Sequence, residues 1–201
     1  SIIKEHKRII FNGNGYSDEW VAEAEKRGLP NFRSTVDCVP HYADAKNVAL
    51  LQKFGVLSEK EIKARMEVLL ENYAKTINIE ALTMIDMTKK KYIPTCIAYT
   101  KELCDAAAVK QSLDICSCVE KELAEKVSSL TKAAYEATEK LETAVAAAAA
   151  KDDCVLSMAK SYREDVIPVM DDLRAAVDAL EVITPSEKWP VPAYSDIIFN
   201  V

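Results

Sequence analysis

The sequence of 201 residues predicts an all-α protein. We expect an elongated antiparallel helical bundle with long, partly kinked helices, preceded by short helices and turns. Two observations predict this class. No glycine follows Gly55, so the rest of the chain lacks a residue that commonly interrupts helices. Beyond that point, apolar residues recur at spacings of three and four over long stretches, which is typical of helices that each offer one face to their neighbours.

Composition divides the chain into three parts. Residues 1–55 contain all the glycines and are predicted to be a junction segment of short helices and turns. Residues 56–183 are predicted to be the long-helix bundle. Residues 184–201 are predicted to be an extended tail, rich in proline and aromatic residues. We expect it to pack back along the bundle or onto another part of a larger molecule, because Trp189 and Phe199 would otherwise expose much apolar surface.

Turn and cap residues define the elements of the junction segment. Asn12 to Gly15 alternates asparagine and glycine, which tolerate positive φ, so we expect a sharp turn there. Ser17 is predicted to begin a short helix that ends at Gly28. A further helix is expected within Thr35–Phe54, with its regular part beginning near His41.

The helix predicted from Ser58 to Cys104 is expected to be the centre of the packing. Ser58 and Glu61 form a capping box at its start. From Ile77 to Met87 apolar residues cover most of the circumference, which indicates a helix surrounded by other elements. We therefore expect Leu82, in the middle of this stretch, to be buried.

Two more long helices are predicted, one striped from Leu113 to Val145 and one from Val155 to Leu180. Pro94 and Pro168 lie inside helical patterns that continue on both sides, so they predict kinks and not helix ends. The connections stay open at this stage. Asp105–Ser112 is compatible with a tight turn, and Ala146–Asp153 with either helix or linker.

Charge and hydropathy exclude two classes of partner. The net charge of −6 disfavours nucleic acid, whose phosphates require a basic face. Lys89, Lys90 and Lys91 form the strongest basic cluster, and on a helix they are expected to be solvated. Charged residues, 29% of the chain, interrupt every apolar run before it reaches the length of a membrane span. We therefore expect neither a nucleic-acid nor a membrane partner.

The cysteines and histidines suggest no catalytic or metal site. The six cysteines lack paired CxxC spacing, and we interpret them as reduced, small core residues of a cytoplasmic protein. Cys116 and Cys118 are two residues apart and are expected to point in different directions on a helix. Cys38 and His41 are the only local nucleophile and base, and a structural role is expected for them. No catalytic, cofactor-binding or metal-binding residue is predicted.

Several blocks of the sequence resemble, in the same order, the C-terminal region of type III glutamine synthetases. The resemblance covers nearly the whole chain, and it departs from the family at Cys38–Tyr42, around Cys116 and Cys118, and in the alanine run from Ala146. No block is a catalytic signature, so the specificity lies in their order and extent. The blocks are His6–Trp20 with Ala22–Asn31, Ile77–Met87, Tyr135–Glu142, Tyr162–Pro168 and Trp189–Phe199.

This resemblance implies a parent enzyme that joins glutamate and ammonia with ATP, through a γ-glutamyl phosphate, using Mg2+ or Mn2+, and that forms a homo-oligomer of stacked rings. Residues 1–55 would then be the end of the catalytic domain of the same chain or the linker from it, and the metal and substrate ligands of that domain would lie upstream of this sequence. The chain is expected to be inactive alone and to support assembly and the catalytic domain. Contact with that domain is expected at Arg8, Asn12, Asn14 and Tyr16.

Two other functions are compatible with the sequence. The first is a free-standing helical-bundle interaction or sensor module. The first residue, Ser1, and the apolar tail disfavour it, because both suggest a piece of a longer protein. The second is a regulatory small-molecule site between helices, although no convergent polar cluster interrupts the apolar stripes.

Overall fold

The computed structural model describes residues 1–151, 154–192 and 194–199, and within these ranges it contains helices and turns but no strand. The predicted all-α class is confirmed. The chain divides into two compact units, residues 1–69 and 70–201. The helices are α1 (Ile2–Glu5), α2 (Asp18–Lys26), α3 (Thr35–Cys38), α4 (Ala45–Lys53), α5 (Glu59–Met87), α6 (Ile93–Ser112), α7 (Cys118–Ala149), α8 (Val155–Ser161), α9 (Ile167–Ile183) and α10 (Tyr194–Phe199).

Short helices with defined caps build the first unit. The Ser17 hydroxyl accepts a hydrogen bond from the Trp20 amide at 3.4 Å, which caps α2 as predicted. Gly28 ends α2 with φ of 69°. There the Leu29 amide donates to the Ala24 carbonyl at 2.9 Å, the pattern of a Schellman motif.

The helix expected in Thr35–Phe54 is divided in the structure. A 3-10 turn, Val39–Ala43, separates α3 from α4 and has Pro40 near its start, where the missing amide is tolerated. The regular part begins at Ala45 and not near His41, because Asp44 has an extended ψ of 137°. Gly55 follows α4 with φ of 64°, as its position predicts.

The capping box at the start of α5 is confirmed. The Glu61 carboxylate accepts a hydrogen bond from the Ser58 amide at 2.7 Å, and the Ser58 hydroxyl accepts one from the Glu61 amide at 3.3 Å. The amide of Ser58 holds the pKa of the Glu61 carboxyl below its usual value. Two amides that a helix start leaves without partners are thereby satisfied.

The chain stays helical through both internal prolines, as predicted. A π-helical turn, Thr88–Tyr92, precedes Pro94, and a second, Tyr162–Val166, precedes Pro168. Proline has no amide hydrogen, and its ring clashes with the carbonyl four residues earlier in a regular α-helix. The wider π-turn relieves both constraints, so each helix continues instead of ending.

Helices α6 and α7 are antiparallel neighbours joined by the turn 113–117. Lys89 pairs with Glu142 at 2.5 Å near one end of the pair, and Lys110 pairs with Glu120 near the other. The possibility of a turn at Asp105–Ser112 is wrong, because α6 runs through this stretch to Ser112. The predicted start of the next helix at Leu113 is also early by five residues.

The alanine run from Ala146 continues α7 to Ala149. Alanine favours the helical conformation without needing packing partners, which accounts for this extension. Asp152 and Asp153, the end of the stretch left open between helix and linker, lie outside the described residues.

Helix α7 is the centre of the second unit, since it packs on α6 along one side and on α9 along another. Its inward faces carry mostly small side chains. The neighbours contribute Leu173 and Leu180 from α9 and Cys96 from α6 to the same core. The buried residues of α7 are Ala124, Val127, Ala134, Ala137, Thr138, Leu141, Val145 and Ala148.

The expectation that Ser58–Cys104 forms the centre of the packing is therefore wrong. In the stretch Ile77–Met87, Ala81 and Ile85 are buried, but Ile79 is 64% exposed and Leu82 is 49% exposed. Apolar residues around the whole circumference of a helix show which side chains could be buried. The positions of the neighbouring helices determine which of these side chains are buried. In the described chain only one side of this stretch is covered.

The cysteines also differ from the expected pattern. Cys96 is buried, and burial raises the pKa of its thiol. Cys104, Cys116, Cys118 and Cys154 are exposed, and Cys38 is half-buried. The interpretation of the cysteines as core residues is wrong for these four exposed side chains. Cysteine is polarisable and small, so its position in an apolar stripe does not by itself require burial.

The segment after α9 contributes to the core of the second unit through Trp189, which is 7% exposed. Its ring stacks on Tyr92 with centroids 5.1 Å apart, and Lys188 pairs with Glu102 at 2.7 Å. The segment also contains α10, although its prolines predict an extended chain. Helix α10 begins at Tyr194, after the last proline, so its backbone is free to be helical.

We predict that Leu141→Ala destabilises the chain by about 2–5 kcal/mol, because Leu141 is fully buried and its loss leaves a cavity. Urea unfolding followed by circular dichroism measures this change. Leu82→Ala is the matched control, expected to cost less than about 1 kcal/mol since half of its surface is in water. Equal losses for the two variants would contradict the central position of α7.

Candidate functional site

The turn before α2 is held by the side chain of Asn14. Its amide oxygen accepts a hydrogen bond from the Tyr16 amide at 3.0 Å, and its backbone carbonyl accepts one from the Ser17 hydroxyl at 3.0 Å. An asparagine that bonds the backbone two residues later forms a local turn without unusual φ values. The expected use of positive φ at Gly13 and Gly15 is wrong, since Gly28 and Gly55 are the positive-φ glycines of the described chain.

Gly13 serves the turn through the absence of a side chain. Phe11 stacks on Trp20 of α2 with ring centroids 4.2 Å apart and an interplanar angle of 22°. A Cβ at Gly13 would lie 2.6 Å from Cζ of Phe11, which is closer than real Cβ contacts. Glycine at this position therefore allows the Phe11 ring to lie over the indole.

Arg27, near the end of α2, ties the preceding segment to the helix. Its guanidinium donates to the Ile10 carbonyl at 2.7 Å and to the Arg8 carbonyl at 3.4 Å. The same group pairs with Glu23 at 2.6 Å and lies over the Trp20 ring at 5.6 Å. A planar group with several donors can make these contacts at once.

All four predicted contact residues lie at the surface of the first unit. The side chains of Arg8, Asn12 and Asn14 are exposed, and Tyr16 is 100% exposed. Tyr16 thus projects an aromatic ring into solvent from a turn whose backbone is held on both sides. Arg27 was not predicted as part of the region, although its spacing of seven from Trp20 places both residues on one face of α2.

The first unit also contains an open apolar groove of about 800 Å³. It lies between α4 and the start of α5, and Arg65 and Glu61 are its charged residues. Apolar side chains make up most of the rest of its wall. Among them are Tyr42, Leu50, Leu51, Leu57, Val68 and Leu69.

Exposed apolar side chains are concentrated in this unit. Twelve of the twenty-three large apolar side chains exposed in the described chain belong to residues 1–69, about a third of the sequence. Such a concentration is typical of a surface that meets another protein surface. These twelve are Ile2, Ile3, Ile9, Ile10, Tyr16, Phe32, Tyr42, Leu50, Phe54, Val56, Val68 and Leu69.

His41, the base near Cys38 in the sequence, contacts two other residues through its ring. Nδ1 of His41 lies 2.9 Å from a carboxylate oxygen of Asp44, and its ring stacks on Phe32 with centroids 4.2 Å apart. Across the described ranges, no three His, Cys, Asp or Glu side chains converge in a way that could hold a metal ion. Nor does any helix in those ranges combine the length and apolarity that crossing a membrane requires.

Comparison with known proteins identifies the family. The profile of the glutamine synthetase C-terminal domain matches residues 1–111. The chain belongs to this family. The match includes the turn, Arg27 and the groove, so the features described above lie in the part that the profile covers.

Three similar proteins extend the match to nearly the whole chain. A glutamine synthetase of Butyrivibrio fibrisolvens is 37% identical over 98% of the chain, and a type-3 glutamine synthetase of Dictyostelium discoideum is 33% identical over 97%. A glutamine synthetase of Bacteroides fragilis (strain YCH46) is 29% identical over 99%. The resemblance to type III enzymes is thereby confirmed. The chain spans only 28%, 27% and 28% of the length of these relatives.

We predict that Arg27→Ala speeds chymotryptic cleavage after Phe11 by about fivefold, because the loss of its hydrogen bonds weakens the closed segment by about 1 kcal/mol. The cleavage rate reports the population of the open segment when opening is fast. Mass spectrometry of the native digest measures it. Arg33→Ala is the control, because Arg33 is exposed and lies in the same unit, and it should leave the rate unchanged. An unchanged rate in Arg27→Ala would show that Arg27 does not hold the segment.

Proposed function

We propose that this chain is the C-terminal helical domain of a glutamine synthetase and that it supports assembly of the enzyme without catalysing the reaction itself. In this proposal the rest of the parent chain joins glutamate and ammonia with ATP and Mg2+ or Mn2+ in the cytoplasm. The observation that carries it is the match of nearly the whole chain to about a quarter of the length of each relative, all of which are named glutamine synthetases.

The contacts that the apolar side chains and His41 make support a structural role. The helices of the second unit use their apolar stripes to pack on one another around α7. The one histidine near a possible nucleophile is engaged with Asp44 and Phe32. The residues that would bind ATP and the metal ions are therefore assigned to the remainder of the parent.

The first unit supports the position of the contact. Tyr16 stands on a turn fixed by Asn14, and Arg27 ties the segment before that turn to α2. A side chain whose backbone is already ordered loses little conformational entropy when a partner covers it. The apolar groove between α4 and α5 offers further surface that gains free energy when it is removed from water. We assign both to contact with the catalytic domain or with other copies of the parent.

The first test is the activity of the chain alone. We predict that the purified 201-residue chain, shown to be helical by circular dichroism, forms no glutamine from glutamate, ammonia and ATP. The full-length parent under the same conditions is the positive control. Glutamine formation by the folded chain above the rate of a blank would contradict the assignment of catalysis to the remainder.

The second test is the exposure of Tyr16. We predict that hydroxyl-radical labelling of Tyr16 is strong in the isolated chain and loses most of its rate in the assembled parent, because a covered ring no longer meets solvent. Tyr135, which is 48% exposed in the second unit, provides a comparison within the same digest. A Tyr16 labelling rate that is equal in the chain and the parent would contradict the proposed contact.

A further inference from the structure

Two exposed cysteines meet in the turn between α6 and α7. The Sγ atoms of Cys116 and Cys118 are 2.8 Å apart, so a small movement would bring them to the ~2.05 Å of a disulfide bond. Both residues are exposed to solvent. The expectation that these side chains point in different directions is wrong, because Cys116 precedes the helix and only Cys118 belongs to its first turn.

The backbone on both sides of the pair is fixed. Before it, Asp114 has φ of 56°, and the Ile115 amide donates to the Lys110 carbonyl at 2.9 Å. After it, Glu120 in the first turn of α7 pairs with the Lys110 side chain. Ser117, between the two cysteines, is buried. The two thiols are therefore held close together by the turn.

The two thiols differ in acidity. A hydrogen bond from the Cys118 thiol, followed by one from the Cys118 amide, lowers the pKa of Cys116. The same contact raises the pKa of Cys118. Thiolates are the reactive form in thiol–disulfide exchange, and amides at a helix start stabilise them. Cys116 is thus the thiol of the pair suited to attack a disulfide first, and Cys118 is the thiol suited to displace the product from Cys116.

We propose that Cys116 and Cys118 form a reversible dithiol–disulfide site that exchanges with low-molecular-weight disulfides. The Cys116 thiolate attacks one sulfur of the small disulfide, forms a mixed disulfide and releases one small thiolate. The Cys118 thiol loses its proton, its sulfur attacks Cys116, and the second small thiolate leaves. The pair gives up two electrons and two protons, and the small disulfide becomes two thiols.

This site is independent of the proposed function, because it rests on the geometry of the α6–α7 turn alone. In a reducing compartment, disulfides of this kind are transient and respond to oxidation instead of stabilising the fold. An exposed bond within a three-residue segment also remains open to reduction by the same small thiols.

The experiment uses oxidised glutathione as the probe. The full chain is equilibrated in buffers of increasing ratio of oxidised to reduced glutathione, its free thiols are alkylated, and it is digested with trypsin. Cleavage after Lys110 and Lys121 gives a peptide, residues 111–121, that contains this pair and no other cysteine. We expect it to lose both alkylation labels together and to lose two hydrogen atoms in mass. Cys104, exposed and in a separate tryptic peptide, should gain only a glutathione adduct.

Two controls separate the folded site from cysteine chemistry in general. Cys118→Ser should convert the product at Cys116 into a stable glutathione adduct. A synthetic peptide of residues 111–121 should need a more oxidising buffer than the folded chain for the same fraction of disulfide. Any one of three outcomes would overturn the proposal. Both thiols could remain alkylated, Cys116 could keep a glutathione adduct that Cys118 does not displace, or the peptide and the folded chain could be oxidised equally.

Discussion

The close approach of α7 to two neighbours is the constraint on which the second unit depends. Ala134 and Ala148 are fully buried, and neither has a side chain beyond Cβ, so the backbones can come near each other. Larger side chains at these positions would have to displace α6 or α9, since interiors packed to crystal density contain little free space. The large apolar groups, such as Leu141 and Leu173, fill the space between the small ones. Both π-turns serve the same end, because they let the helices that flank α7 continue past Pro94 and Pro168.

Most of the helical framework could be predicted from the sequence, because caps and stripes are local signals. Ser58 with Glu61 and the glycines at 28 and 55 placed helix ends correctly. The degree of burial along α5 could not be predicted. A stripe tells which side chains share a face, but a helix that is apolar all round, as near Leu82, does not tell how many neighbours cover it. The sequence predicts a boundary between the junction segment and the bundle at residue 55, whereas the structure divides into its two units at residue 69. Residue 69 lies inside α5, where the sequence shows no change of composition.

The candidate contact region was only partly predictable for a different reason. The turn at Asn12–Tyr16 is visible in the sequence because glycine and asparagine favour turns. Its geometry instead uses the Asn14 side chain and the missing Cβ of Gly13, which depend on where Phe11 stacks. Arg27 acts on carbonyls seventeen and nineteen residues away, and no local pattern reports such a bond. Likewise, the meeting of Cys116 and Cys118 depends on where α7 begins, and the apolar stripe placed that start at Leu113.

The two units differ in how much of their apolar surface they bury by themselves. In the second, a single buried cluster joins α5, α6, α7, the turn Tyr162–Val166, α9 and Trp189. In the first, Phe54 and Leu50 remain more than half exposed, and the groove that Leu50 lines is open in the described chain. Exposed apolar area costs free energy in water, so a unit of this composition gains stability when another surface covers it.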